Sequence, residues 1–176
     1  MPAKFLAALL VSLLLAVTGC LSDDDDNDDD EEVGEGWPEL QGVWESDCFV
    51  VPGEDGASDA PQIHTIAIDG DQAEQDVEIY DENDTTCSGA TIFEPFMLWR
   101  YEVGDEITTT GGVTAREIDV ELLEDPDGVG EHDEEYDIFR LEDDDNTLYF
   151  GDEAGLSPED RPDILDFTKP FTRISD

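Results

Sequence analysis

The sequence predicts an all-β domain, an antiparallel up-and-down β-barrel of about eight strands, over residues 37–176. Apolar residues recur at every second position through most of this region, as in Ile118, Val120 and Leu122. Such alternation is typical of a strand with one buried face. Turn-forming residues such as Asp69-Gly70-Asp71 separate the alternating runs. A closed barrel leaves no unpaired edge strand, which favours it over the alternative of a β-sandwich.

The predicted strands follow these alternating runs and end at the turns between them. In chain order they cover residues 40–49, 62–69, 73–80, 91–103, 106–110, 113–123, 134–142, 146–151 and 170–175. The one helical signal is Ser157-Pro158-Glu159-Asp160, where a capping residue precedes a proline at the first helical position. Because Pro162 follows so closely, we expect a single helical turn there.

A short apolar segment precedes the predicted domain. Lys4 supplies a positive start, and residues 5–17 are apolar apart from Ser12, a run too short for a bilayer core that needs roughly 20 residues. The segment therefore predicts a cleaved secretory signal. It ends at Val17-Thr18-Gly19-Cys20, which resembles the bacterial lipobox. The resemblance implies cleavage before Cys20, a diacylglyceryl group on its thiol and an acyl chain such as palmitate on its amino group. An ordinary signal peptide with an incidental cysteine is the alternative.

A lipid on Cys20 would hold the protein at a membrane, because several acyl chains are enough for stable binding. Leu21 follows in place of an aspartate, and by resemblance to the sorting rule of enteric bacteria this implies the outer membrane. The residues after it are rich in Asp and Glu, and such a block is disordered and self-repelling. The predicted organisation is a signal peptide over 1–19, a lipidated cysteine and acidic tether over 20–36, and a barrel over 37–176.

The chain carries 50 acidic and 7 basic residues, a formal net charge of -43. This charge excludes nucleic acid as a partner, because phosphate binding needs a basic surface. The acidic residues are spread along the chain, which favours adaptation to a halophilic or marine setting, where the Debye length falls to about 3 Å at 1 M salt. The milder alternative is a charge that only keeps the protein soluble. In either case we expect a monomer.

Cys48 and Cys87 remain as an even pair once Cys20 is assigned to lipid. In an exported domain such a pair predicts a disulfide. The bond would close a loop of about 40 residues, worth roughly 4 kcal/mol in the chain-entropy model. Two free thiols or a metal pair are the alternatives.

The first predicted strand contains Gly42-x-Trp44, which resembles the opening signature of lipocalins and their calycin relatives. The resemblance implies a barrel that Trp44 plugs at one end, with an arginine of the last strand packed across it. Arg173 stands at the matching place. Barrel mouths are common ligand sites. The candidate wall residues of a cavity, with ordinary core as their alternative, are Phe93, Phe96, Trp99 and Tyr101.

The sequence indicates no catalytic, cofactor or metal site. It has no Gly-x-Ser-x-Gly elbow, no His-Glu-x-x-His motif and no phosphate-binding glycine loop. His64 shares a strand face with Ile66, and His132 lies in an acidic loop, positions more typical of a wall residue and a solvated residue. Asp125-Pro126-Asp127 begins like an EF-hand loop, but Val129 stands where the next ligand should be. We therefore expect no enzyme.

Three functions are open at this point. The first is a membrane-anchored lipoprotein whose lipocalin-like barrel binds a small hydrophobic ligand or serves envelope maintenance. The second is a non-enzymatic interaction module that the tether displays to a protein or polysaccharide partner. The third is loose binding of divalent cations by the acidic loops.

Overall fold

The computed structural model describes residues 36–52, 60–130 and 132–176. The predicted signal peptide, Cys20 and nearly all of the predicted tether lie outside the described residues. Within the described part of the chain, no helix is long and apolar enough to cross a membrane.

The described residues form nine antiparallel strands in one sheet. In chain order these are β1 (Gly42–Ser46), β2 (Phe49–Val51), β3 (Ala60–Asp69), β4 (Gln72–Ile79), β5 (Phe96–Thr108), β6 (Thr114–Glu124), β7 (Glu134–Glu142), β8 (Thr147–Phe150) and β9 (Phe171–Ser175). Single 3-10 turns occupy Pro38–Leu40 and Pro158–Asp160. The second of these confirms the one helical turn that the sequence predicts.

Eight of the strands close a barrel, and one strand lies outside it. Neighbouring strands follow the order β1-β9-β8-β7-β6-β5-β4-β3, and β1 pairs with β3 to complete the ring, with Trp44 opposite Ile66. The outside strand, β2, pairs with β3, with Phe49 opposite Gln62. The prediction of an antiparallel β-barrel is confirmed, and the alternative of a β-sandwich is wrong.

The division of the chain into strands differs from the sequence prediction at β1 and at β5. A single strand, β5, replaces the two predicted strands over residues 91–103 and 106–110, and it covers only Phe96–Thr108. A register shift between Val103 and Glu106 accounts for the break in alternation. Residue Pro95 has no N–H to donate, and β5 begins directly after it. The predicted first strand, 40–49, is interrupted after Ser46, and its far end belongs to β2.

The two ends of the barrel differ in the length of their connections. At one end, which we call the closed end, the turns between strands are short and cover residues 70–71, 109–113 and 143–146. At the opposite end, which we call the mouth, two connections are long and cover residues 80–95 and 151–170. Long loops on a rigid scaffold are the usual carriers of binding function, which favours the mouth as the binding end of the barrel.

The main core fills the closed end of the barrel. Its buried side chains are Leu40, Trp44, Ile68, Tyr101, Ile118, Phe139, Leu148 and Phe171. The Tyr101 hydroxyl accepts a hydrogen bond from the Trp37 N–H (3.0 Å) and donates to the Gly70 carbonyl (2.8 Å), which ties the start of the domain to the β3–β4 turn. The buried tyrosine therefore serves both the core and the closure of this end.

A smaller cluster lies on the outer face of the barrel. Ile138 is fully buried there with Ala115 and Leu165, although β7 turns Ile138 away from the interior. The 151–170 connection contributes Leu165 and covers this face. Both faces of β7 are thus buried at its centre, at Ile138 and Phe139, which explains its apolar residues at both strand parities.

Candidate ligand-binding site

A plug built on Trp44 marks the bottom of the site. The Trp44 side chain is fully buried, and its indole N–H donates to the Leu40 carbonyl at 2.8 Å. The Arg173 guanidinium lies over the indole ring, with its central carbon 4.2 Å from the ring centroid. Its nitrogens donate to the backbone carbonyls of Glu39, Gln41 and Asp145. The structure thus brings together the tryptophan and the arginine that the sequence singles out.

Gly42 lies beside this plug in a conformation that only glycine tolerates. Its φ is +115°, and an added Cβ would meet the Ser175 carbonyl oxygen at 2.4 Å. The first and last strands therefore approach one another closely because position 42 has no side chain.

A cavity of about 310 Å³ lies inside the barrel between the plug and the mouth. This volume is at the lower end of the range of about 300–1,000 Å³ that is typical of small-molecule sites. Its apolar walls include Phe49, Ile66, Ile68, Ala73, Trp99, Ile118, Val120, Phe150 and Phe171. Its polar wall residues outside the plug are His64, Gln75, Glu135, Asp137, Asp166 and Lys169.

Of the four aromatic residues that the sequence suggests for the cavity wall, two are on it. Trp99 and Tyr101 point inward from β5, whereas Phe96 has the opposite strand parity and does not reach the cavity. Phe93 is 44% exposed and lies before β5 in the mouth connection. Sequence reasoning missed Phe150, which shares the inward parity of Leu148 and could have been found from that alternation.

A chain of hydrogen bonds crosses the wall made by β3, β4 and β5. The Trp99 indole N–H donates to Gln75 Oε1 at 3.0 Å, which leaves the Gln75 amide nitrogen to donate to His64 Nδ1 at 3.2 Å. The other ring nitrogen, Nε2, then donates to Gln62 Oε1 at 2.8 Å. Because the Trp99 indole can only donate, it fixes which atom donates in each hydrogen bond of this series. It thereby also fixes the tautomer of His64.

Burial, together with the smaller effect of the positive charge of Lys169, lowers the pKa of His64 to about 4. The imidazole is therefore neutral near pH 7, and both of its ring nitrogens are engaged. This wall of the cavity is polar, uncharged and internally satisfied. His64 is a wall residue that faces the same way as Ile66, as its strand parity predicts.

Asp137 lies on the β7 wall of the same cavity. Its Oδ1 accepts hydrogen bonds from the backbone N–H groups of Ile138 (2.7 Å) and Gly151 (3.1 Å). Burial, with a smaller contribution from the neighbouring Glu135 charge, nonetheless raises the pKa of Asp137 to about 6, against the lowering effect of those hydrogen bonds and of Arg161. This carboxyl is ionised near pH 7 only at a cost to folding.

The disulfide between Cys48 and Cys87 is present, with 5.8 Å between the two Cα atoms. The prediction of this bond is confirmed, and the alternatives of free thiols or a metal pair are wrong. It joins the break between β1 and β2 to the 80–95 connection. Two of the segments that frame the mouth are therefore covalently linked.

In the acidic loops of the described chain, carboxylate oxygens accept hydrogen bonds from backbone N–H groups of the same loop. Asp125 accepts hydrogen bonds from the backbone N–H groups of Val129 (3.1 Å) and Gly130 (2.8 Å), as in an ordinary turn. Among the described residues, no group of three or more histidine, cysteine, aspartate or glutamate side chains is placed to hold a metal ion.

Comparison of the chain with protein-family models, with curated proteins and with solved structures finds no match.

Proposed function

We propose that this protein binds a small ligand with an apolar body inside its barrel and is held by lipid on Cys20 at a bacterial outer membrane. The observation that carries the binding function is the cavity of about 310 Å³, which aromatic and aliphatic side chains line above a plugged barrel end. Covering an apolar surface that water can reach favours binding by about 25 cal/mol for each Å² of apolar area removed from water.

The composition of the wall supports binding without chemistry. Both nitrogens of His64 are occupied by neighbouring side chains, so this imidazole is not free to serve as the base of a nucleophile. Trp99 and the aliphatic walls offer contact area, and the few polar groups would orient a ligand. A carrier or a sensor of a small molecule fits this arrangement.

Binding is tested with N-phenyl-1-naphthylamine, an uncharged dye whose fluorescence rises in apolar surroundings. We expect saturable binding to the protein and its loss in Ala73→Phe, which fills the cavity from β4. The matched control is Ala67→Phe, which adds the same ring to the outward face of β3. Equal dye binding by the two variants would show that the dye lies outside the barrel and would refute the binding function.

The anchor is supported by the Val17-Thr18-Gly19-Cys20 motif after an apolar segment. We expect the protein to be recovered in the outer-membrane fraction of a bacterial host and Cys20→Ser to remove it from that fraction. Cys48→Ser is the control, since it also deletes a thiol but leaves the motif intact. Outer-membrane recovery of Cys20→Ser would contradict the lipid anchor.

A further inference from the structure

The polar groups of the cavity are divided by charge between two walls. On the β3–β5 wall, the side chains of His64, Gln75 and Trp99 are neutral and bonded to one another. On the opposite wall, β7 presents the carboxyl groups of Glu135 and Asp137. Among the strands that wall the cavity, charge is therefore concentrated on β7 and is negative. The other charged residues of the lining, Asp166 and Lys169, belong to the 151–170 connection and pair with each other.

The hydrogen bonds that hold Asp137 engage only one of its two carboxylate oxygens. Both of its hydrogen bonds to described residues, from the backbone of Ile138 and Gly151, fall on Oδ1. The two N–H groups fix the side chain, and Oδ2 takes no hydrogen bond from the described residues. Asp137 also lines the cavity. An ionised oxygen in apolar surroundings is costly unless a partner of opposite charge meets it.

The cations nearest to this wall are directed elsewhere. Arg161 donates to the Asp137 backbone carbonyl (2.8 Å) and forms its shortest ion pair with Asp119 (2.6 Å), on the outer side of the sheet. At the mouth, Lys169 pairs with Asp166 at 3.1 Å and lies 5.6 Å from the Phe49 ring. Within the described chain, neither the Lys169 ammonium nor the Arg161 guanidinium forms an ion pair with the Asp137 carboxylate.

We propose that the ligand is an amphipathic amine, whose protonated nitrogen binds Asp137 Oδ2 while its apolar body packs against Trp99 and the aliphatic walls. This inference rests on the proposed function, because it names the ligand class for the same cavity. Glu135 adds a second negative charge on the same wall. The net charge of -43 attracts cations to the protein and repels anionic amphiphiles.

Calorimetric titration with three ligands of equal chain length, octylamine, 1-octanol and sodium octanoate, tests this inference at pH about 8. A hydrogen bond to a charged group predicts that octylamine binds about 10- to 100-fold more tightly than 1-octanol. Octanoate is expected to bind most weakly, since its carboxylate would meet Asp137 and Glu135. This comparison needs no variant and is independent of any effect on folding.

Asp137→Asn keeps the hydrogen-bonding shape of the side chain and removes its charge. We expect this variant to bind octylamine and 1-octanol within about threefold of one another, because the charge-assisted bond is lost. Asp76→Asn is the matched control, since it changes the net charge equally at an exposed position on the outward face of β4. The control should keep the preference for the amine.

The outcomes separate this inference from the function on which it rests. Equal binding of octylamine and 1-octanol by the unmodified protein would overturn the amine and leave the apolar-ligand function standing. Tightest binding of octanoate would also overturn it and would point to Lys169 as the partner of an anionic headgroup. If neither the three ligands nor the naphthylamine dye bound, the proposed binding function would fall as well.

Discussion

The Arg173 guanidinium and the Trp44 indole are stacked, with 4.2 Å between the guanidinium carbon and the ring centroid. The two residues also face each other across the β1–β9 ladder. Arg173 joins two separate stretches of backbone through its carbonyl contacts, at Glu39 and Gln41 before β1 and at Asp145 between β7 and β8. One side chain therefore fastens the plug to the last strand and to the β7–β8 turn.

Arg173→Lys should lower the free energy of unfolding by about 1–3 kcal/mol, because a lysine cannot present the planar fork that meets several carbonyls at once. Urea denaturation followed by far-UV circular dichroism measures this loss. Arg100→Lys is the control: its pairs with Asp71 (3.9 Å) and Glu121 (3.5 Å) are partly exposed, and we expect a change of less than about 1 kcal/mol. Equal losses in the two variants would contradict the role of Arg173.

Replacing both Cys48 and Cys87 by alanine should lower the free energy of unfolding by about 4 kcal/mol, since the bond closes a loop with a sequence separation of 39. The same urea experiment in the presence of dithiothreitol provides the internal control. Reductant should destabilise the unmodified protein by a similar amount and leave the double variant unchanged. A reductant effect on the double variant would show that the loss has another origin.

His64 should make the protein less stable in weak acid. Its pKa falls from the ordinary value of 6.5 to about 4 on folding, so its contribution is complete above pH 6.5 and is lost as the pH falls toward 4. Between these pH values the unfolded chain binds the proton more readily than the folded protein. The free energy of unfolding therefore falls by about 2–3 kcal/mol across this range. His64→Gln removes this site. The stability of the unmodified protein relative to His64→Gln should therefore fall between pH 7.5 and 4.5, whereas a constant difference would refute this.

Asp137 should have the opposite effect on stability. Its pKa rises from 3.8 to about 6 on folding, so its stabilising contribution is complete below pH 3.8 and is lost as the pH rises through 6. Asp137→Asn is thus expected to be more stable than the unmodified protein by about 2–3 kcal/mol at pH 8 and equal to it near pH 3.5. The groups that face this carboxyl and could modify the result are Glu135, Arg161, Gly151 N–H and, across the cavity, His64 and Lys169.

Asp76→Asn again serves as the control for the Asp137 experiment, measured in about 1 M NaCl so that general repulsion is screened to about 3 Å. Its stability at pH 8 should lie close to that of the unmodified protein, because the Asp76 side chain is exposed. If Asp76→Asn showed the same gain at pH 8, relief of overall negative charge would explain the result and burial of Asp137 would not.

The barrel was predictable from sequence because hydrophobic alternation is a local signal. Ile118, Val120 and Leu122 lie on the inward face of β6 as their spacing indicates. The division into strands was less predictable, since the register shift between Val103 and Glu106 interrupts the alternation without ending the strand. A bulge depends on the neighbouring strand, and a single segment does not reveal it.

The site was predictable only in part, for a different reason. Trp99 and Tyr101 could be proposed as wall residues because large aromatic residues are rare enough to attract attention. Asp137 could not, because it is one of 50 acidic residues in the chain. What distinguishes it is its inward parity with Phe139, on a strand that is apolar on both faces. Because Ile138 and Phe139 are both buried, the sequence of β7 alone does not show which face is inside, whereas the pairing of Asp137 with Ile118 of β6 does.

The pairing of β1 with β9 has a consequence for how the chain becomes folded. Trp44 and Arg173 face each other although most of the domain separates them in sequence. The barrel therefore cannot close until β9, Phe171–Ser175, has been synthesised and is able to pair with β1. Until then β1 and β8 present unpaired edges, which invite pairing with other chains. A chain truncated before Phe171 should therefore aggregate during folding, although it would contain every residue of the β3–β7 walls.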